Sequence, residues 1–428
     1  MYSETAPWAD EAEKLELSAE LIAEEVLELA LPLSQFADNN PYRAMFYERM
    51  GIRKAECSVF TNGDHRVYIA DDTVQESGSF KSRGAAYAAM TSSSSVLTAA
   101  SAGNHGNGVA IAGRRLGKEV VIEAAATASE VKVTNMKRNE ATVHAVHTSV
   151  DAAMPAAKNL AREKSGTFIH PYDDLRVIAG QATLGFDTLA ELLADESSGH
   201  FDLMHDPAKV FVPIGGGGLI SGVASVFRWA KDVGVIGEQV QVIGVQMEGC
   251  DAMRRSVEEL QAYRSGPLFA EDEFNPACDG TAVQDVGSLT LQIAADKRYV
   301  ADIVTVSEAE LGHAMQELVV AQGKRIEPAG ALSMAGALVD MHQNETPSIY
   351  MTVSSGRNVS QETWDHFATA SGYKKAEEHT QRRALGGYVV REMAAHPRPE
   401  SVRPSRESID DYYDVLEEQG IFMVRRYN

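Results

Sequence analysis

From about residue 66 the chain alternates between two hydrophobic rhythms. Short, almost wholly apolar runs rich in β-branched residues predict strands at 67–70, 96–101, 119–124, 142–146, 209–214, 240–247, 302–307 and 349–354. Between them, apolar residues recur three and four apart, which predicts helices such as 80–90, 150–165, 177–194, 218–231 and 308–322. The last opens on Ser307 followed by Glu310, the spacing of a capping box. Strands that are apolar throughout need cover on both faces. The pattern therefore reads as parallel strands in a doubly wound α/β protein. Residues 10–31 are different: acidic and helix-prone, with Leu15, Leu17, Leu21, Ile22, Val26, Leu27, Leu29 and Leu31 forming one apolar face. Beyond Thr363 the strand pattern stops. A proline- and charge-rich linker (394–408) and a short helix (410–422) are expected there.

Length and composition narrow this picture. With 428 residues, 44% of them hydrophobic, the chain can bury the core of one large domain or two medium ones. No apolar run approaches the roughly 18 residues of a membrane-spanning helix. The start, MYSETAPWADEAEK, lacks the basic and apolar regions of a signal peptide. Cys57, Cys250 and Cys278 are scattered, which points to a reducing, cytoplasmic setting rather than a disulfide framework. The net charge of −22 argues against nucleic-acid and anionic-membrane partners and leaves the substrate open.

Four segments carry candidate chemistry. In SGSFKSRGA (77–85), Lys81 falls where an extended segment gives way to a helix. A helix start disfavours an ammonium ion, and an amine that loses its proton can form a Schiff base. In VFVPIGGGGLISG (210–222), a buried strand runs into Gly215, Gly216, Gly217 and Gly218 and then a helix. Successive glycines at a helix start leave backbone N–H groups free to cradle a phosphate. Ile220 and Ser221 exclude the dinucleotide pattern, and Val223 excludes the Walker A loop. In SAGNHGNG (101–108), short polar residues again separate strand from helix. They can either hold a carboxylate or phenolate oxygen or simply cap the helix. VSSGRN (353–358) follows a strand, at the end where open α/β sheets place ligands.

Together, and in this order over residues 65–360, these segments resemble the fold-type II pyridoxal-phosphate enzymes, most closely their threonine/serine dehydratase branch. The family patterns S-F-K-x-R-G-A, S-x-G-N-H, G-G-G-G-L and S-G-x-N stand here at 79–85, 101–105, 215–219 and 355–358. HPYDDLRVIAGQAT (170–183), DGTAV (279–283) and EPAGALSMAG (327–336) look like that family's connecting segments.

The resemblance implies two doubly wound parallel-sheet domains with pyridoxal 5'-phosphate between them. The large domain would comprise 1–94 and 183–362, the small one 95–182, with 363–428 as an extension. It implies that Lys81 holds the cofactor and acts as base, and that Gly215–Gly218 and Leu219 bind the phosphate. Phe80 would pack on the ring, Asn104 bond its hydroxyl and Ser355 face its nitrogen. Ser101, Ala102, Gly103, Asn104 and His105 would bind the substrate carboxylate. The implied reaction is α,β-elimination from a small β-hydroxy amino acid such as threonine or serine, giving a 2-oxo acid and ammonia. The implied assembly is a homodimer or homotetramer, with the 15–31 face as one possible contact. The alternatives are a β-replacement synthase, a lyase for a specialised β-substituted amino acid, or a cofactor-binding sensor without catalysis.

Several residues depart from the family pattern. Ala102 stands where racemase relatives carry a serine. Gln246 and Ala252 replace acidic ligands of a divalent cation, so no metal is expected. IADDTVQES (69–77) replaces the usual K-R-E-D segment, and ECSVF (56–60) the usual T-P segment. Asn107 stands for the usual glutamine. Arg357 replaces a small residue; it can reach the cofactor or an acidic substrate group, but a solvated turn residue is the expectation. The tail lacks the strand pattern of the βαββαβ regulatory module. These departures point to a specialised substrate. His144 and His147, three apart on a strand, are expected on opposite faces and structural.

Overall fold

The computed structural model describes residues 18–34, 41–62, 65–197, 199–262, 277–283, 285–344, 346, 348–371 and 391–392. All eight expected strands form, within two residues of the expected bounds. They are β2 (His65–Asp71), β3 (Val96–Ala100), β4 (Glu119–Ala125), β5 (Thr142–His147), β7 (Ala208–Pro213), β8 (Val240–Met247), β9 (Asp302–Val306) and β10 (Ile349–Ser354). Three more were not anticipated: β1 (Glu56–Asn62), β6 (Thr167–Phe168) and β11 (Arg391–Glu392). A seven-stranded sheet runs β11-β1-β2-β10-β7-β8-β9 and a four-stranded sheet runs β5-β4-β3-β6. Pairing is parallel except where β1 meets β2 and β11. The smaller sheet is built wholly from residues 96–168, and the larger from strands before and after it.

The helices follow the strands as the pattern requires. Those of eight residues or more are α1 (Ala19–Ala30), α2 (Lys81–Thr91), α3 (Asn104–Leu116), α4 (Glu130–Arg138), α5 (Val150–Glu163), α6 (Leu175–Glu196), α7 (Gly218–Asp232), α8 (Ala252–Ala262), α9 (Ser288–Ala295), α10 (Glu308–Gln322), α11 (Pro328–Gln343) and α12 (Gln361–Ala370). The capping box at Ser307 and Glu310 is formed in both directions. The buried face of α1 consists of Ile22, Val26, Leu27 and three alanines, packed against α6 and α7. Each large side chain so buried contributes about 1.5–3 kcal/mol over its exposed state. That face is therefore covered within the chain. Leu21, expected on the face, is instead 47% exposed. Residues 10–17, the 394–408 linker and the 410–422 helix lie outside the described residues. No helix among those described is long and apolar enough to cross a membrane.

The two histidines require a correction. His144 Nδ1 lies 2.8 Å from Glu123 Oε1, and His147 Nε2 lies 2.7 Å from Glu123 Oε2. They share one face because the β4–β5 register shifts between Ala124 and Ala125, adding one residue to β5. A bulge of this kind breaks the two-residue period on which the opposite-face expectation rests. The residue it turns outward, Val146, is 74% exposed.

The helix that carries Lys81 is anchored on two sides. Gly84 and Gly180 let α2 and α6 approach backbone to backbone: a Cβ on Gly180 would lie 2.6 Å from Gly84 Cα. Beside this contact the Arg83 guanidinium is fully buried. It donates to Asp72 (Nε to Oδ2, 2.9 Å; Nη2 to Oδ1, 2.7 Å), to Asp187 Oδ2 (2.7 Å) and to Thr183 Oγ1 (2.9 Å). Removing one member of such a buried pair leaves the others uncompensated, at a cost of about 3–5 kcal/mol. Arg83→Leu is expected to lower unfolding free energy by that amount in urea melts. A loss under about 1 kcal/mol would mean the network does not hold the helix.

Candidate active site

Lys81 is the first residue of α2, and its Nζ donates to the carbonyl of Pro171 at 2.7 Å. Burial holds the amine down at about 8, against the opposing pull of the Glu327 carboxylate. The depression follows from removal of solvent, a cause not considered from sequence alone. At pH 8 about half of the amine is neutral, against roughly one part in 300 for an ordinary lysine.

The Lys81 segment is tied to the strand end at 355–358. Phe80 N–H donates to Ser355 O at 2.9 Å, and Ser79 bridges Gly356. Asn358 Nδ2 donates to Ser77 O (2.8 Å) and to Asn104 Oδ1 (2.7 Å), bringing the 101–105 loop to the same place. In that loop Ser101 Oγ accepts from Gly103 N (3.0 Å) and Gly106 N (2.9 Å). The Ser101 hydroxyl thus shapes the turn. The N–H groups of Ala102, Asn104 and His105 have no acceptor among the described residues. Three free donors at the start of a 13-residue helix suit a carboxylate. His105 is buried, with Nε2 3.0 Å from Ile169 O, and burial followed by the neighbouring Lys81 holds it neutral, down at about 3.

The glycine loop joins through residues 169–173. Its N–H groups from Gly215 to Leu219 have no acceptor among the described residues, and they stand at the start of α7. Tyr172 packs directly on Gly216 and Gly218; a Cβ on Gly218 would lie 2.9 Å from Tyr172 O. One five-residue stretch therefore bonds His105 at Ile169 and Lys81 at Pro171, and seats the glycine loop at Tyr172. Five unsatisfied donors, glycines that side chains cannot replace, and a deprotonatable amine fit a phosphorylated aldehyde cofactor.

A model of the pyridoxal-phosphate dependent enzymes matches residues 56–356. The chain belongs to this family. It is similar to the biosynthetic L-threonine dehydratase of Lactococcus lactis, at 31% identity over 68% of this chain and 67% of that one. It is also similar to the L-threonine ammonia-lyase of Thermotoga maritima, at 33% identity over 66% of this chain and 64% of that one. Among solved structures, the T.th. threonine deaminase superposes with a TM-score of 0.61 at 29% identity. That match covers 74% of this chain and 97% of that one.

As a pyridoxal-phosphate family member, the chain places its predicted residues unequally. Lys81, Phe80, Asn104, His105 and Ser355 converge around the 169–173 stretch and the end of β10. Ser355 is buried, with Oγ 3.4 Å from Ala329 O. Glu327 was missed by sequence reasoning. It is 5% exposed, and its Oε1 accepts from Asn104 Nδ2 at 2.6 Å. Burial, then Asp279, pushes its carboxyl up to about 7. The signal was a glutamate just before Pro328 at a helix start, which reads as an ordinary cap; here the side chain does not cap its helix but reaches Asn104.

The departures sort themselves as well. Within 69–77, Asp71, Asp72, Gln75 and Ser77 bond Thr73, Arg83, Arg53 O and Ser82 respectively. That segment anchors α2. Gln246 donates to Ile214 O and Cys250 O and accepts from Arg254 N, so backbone groups engage its amide. Arg357 is exposed, as expected of a turn residue, yet it also lines a cavity of about 360 Å³ with Asn104 and Glu327.

The pKa of Lys81 makes a kinetic prediction. Capture of pyridoxal phosphate by apo-protein needs the neutral amine. Its rate is expected to rise with pH and level off above about 8, the pKa of the buried amine. Stopped-flow absorbance reads this directly; a rate still climbing at pH 10 would mean Lys81 is an unperturbed lysine.

Proposed function

We propose that the protein is a pyridoxal-phosphate-dependent ammonia-lyase that eliminates the hydroxyl of a small β-hydroxy amino acid such as threonine or serine, giving a 2-oxo acid and ammonia. The observation that carries this reading is a depressed-pKa lysine joined through one loop to both an acceptor-free glycine cradle and a carboxylate-sized set of N–H groups. When bound, the cofactor supplies the electron sink that acidifies the Cα–H bond. The neutral Lys81 amine, held by Pro171 O, takes the Cα proton. The N–H groups of Ala102, Asn104 and His105 hold the α-carboxylate. Asn104, steadied by Glu327 and Asn358, would meet the ring hydroxyl, with Phe80 beside the ring. The Ser355 hydroxyl would give the ring nitrogen a neutral partner, which would favour prompt departure of the β-hydroxyl as water. Ala102 offers no side-chain base on the opposite face, which supports elimination over racemisation.

The same reading divides the chain into 1–94 with 183–362 around 95–182, in a homodimer or homotetramer. Three cysteines outside any disulfide support a reducing, cytoplasmic setting. The test is 2-oxo acid release from L-threonine and L-serine by protein showing a visible imine band. Ammonia that appears only with an added second nucleophile would favour the β-replacement reading. A protein that gains no band with cofactor would remove both.

A further inference from the structure

We propose that Arg357 selects substrates carrying a second carboxylate on the side chain, so that the preferred class is a β-hydroxy amino dicarboxylic acid of the 3-hydroxyaspartate kind. This rests on the lyase reading and names its substrate class.

Arg357 lies three residues beyond the end of β10. Its backbone is fixed on both sides: its N–H donates to Gly78 O at 3.0 Å, and its carbonyl accepts from Val359 N at 2.9 Å. Its aliphatic stem passes Gly78, where an added Cβ would lie 3.3 Å from Arg357 Cγ. The side chain lines the 360 Å³ cavity shared with Asn104, Lys132, Asp279 and Glu327, a volume in the range of small-molecule sites.

Only two of the charged groups lining this cavity form an ion pair among the described residues. Lys132 pairs with Asp279, and Glu327 accepts from Asn104. The Arg357 guanidinium has no carboxylate or other side-chain partner among the described residues. A guanidinium presents a planar fork suited to a carboxylate and offers nothing to a methyl group. The substrate's α-carboxylate already has the N–H groups of the 102–105 turn, and the cofactor phosphate has the glycine cradle. What remains for Arg357 is an additional anion on the substrate side chain. The rest of the wall is mixed, with polar Asn107, Asn135 and Ser360 beside apolar Val131, Pro328 and Val359, so the guanidinium is the group that would select a charged side chain.

The reaction balances in atoms and electrons. The Cα–H and Cβ–O bonds break, the hydroxyl leaves as water with one proton, and the resulting enamine tautomerises to an imine. Water then cleaves the imine. The products are a four-carbon 2-oxo dicarboxylate and ammonia, with no oxidant or reductant required.

The test uses the holoenzyme. kcat/KM is measured for L-threonine, L-serine, O-phosphoserine and the threo and erythro forms of 3-hydroxyaspartate, in wild type, Arg357→Gly and Arg357→Lys. At least one hydroxyaspartate form should exceed threonine by about 30-fold, the scale of a charge-assisted hydrogen bond. Arg357→Gly should shift the hydroxyaspartate-to-threonine ratio by about the same factor toward threonine, with Arg357→Lys in between. An unchanged ratio, or preference for O-phosphoserine, overturns the proposal. Calorimetric titration with succinate gives a readout independent of turnover. Succinate should bind wild type at least about 10-fold more tightly than Arg357→Gly, and equal binding overturns the assignment. Turnover of threonine without hydroxyaspartate preference defeats this proposal alone. Absence of 2-oxo acid from every substrate defeats the lyase reading, and the succinate arm then decides the role of Arg357.

Discussion

Lys81→Ala will lower 2-oxo acid release by at least roughly 10⁴-fold, because one side chain serves as both cofactor anchor and proton acceptor. The fold should survive. Position 81 is the first residue of a helix, and alanine is the best helix former. Among the described residues the side chain makes one hydrogen bond, to Pro171 O, and one contact of its amine with the Phe80 ring. Its removal also relieves the cost of holding an amine in a buried place, a cost visible in its depressed pKa. Net destabilisation should therefore stay within about 1 kcal/mol. Three measurements separate the roles. The visible imine band should vanish, thermal unfolding should shift little, and pyridoxal phosphate should still bind without the covalent link through the glycine cradle. Residual turnover above about 1% of wild type would take Lys81 out of the chemistry.

The alternating rhythm made the parallel core legible because most of those strands, edge strand β5 excepted, are largely buried and carry few polar residues. β1 was not legible for the opposite reason. ECSVFTN pairs antiparallel with β2 at the side of the sheet where only β11 lies beyond it, so its side chains face mixed surroundings. β6 is two residues long, below what any periodicity can register. The bulge that brings His144 and His147 onto Glu123 depends on a register shift between two strands, which neither strand encodes alone. The site was legible as motifs, each sitting where a strand ends and a helix begins. How the motifs join was not. The 169–173 stretch that links Lys81, His105 and the glycine loop does so mainly through backbone carbonyls and one ring. Backbone carbonyls are present at every position of every sequence and carry no signature. Glu327 was hidden in a similar way, since a glutamate at a helix start has an ordinary explanation. Arg357 was visible as a departure, but only the structure shows that it lines the same cavity as Asn104 while Lys132 there is paired with Asp279.

Gly217→Val will weaken pyridoxal phosphate binding by at least about 100-fold, the scale of losing two or more charge-assisted hydrogen bonds to a phosphate. Gly217 caps α7 with φ of +92°, in the region that favours glycine. A Cβ there would lie 2.6 Å from Met253 Cε and 2.7 Å from Thr290 Cβ. Met253 is flexible at its end and can yield. Thr290 cannot, because its hydroxyl donates to Gly216 O at 2.7 Å. A β-branched residue at 217 must therefore turn the peptide, and the N–H groups from 215 to 219 lose their common aim. Strain of this kind costs about 1–3 kcal/mol, so some loss of stability accompanies the loss of affinity. Comparison of two aldehydes separates the effects. Apo-protein is titrated with pyridoxal phosphate and with pyridoxal, which lacks the phosphate but forms the same bond to Lys81. The substitution should weaken the phosphorylated form selectively, moving its affinity toward that of pyridoxal. Equal losses for both would locate the damage in the whole site. No loss for either would mean that the glycine loop, despite its free donors and its place at a helix start, is not where the phosphate sits.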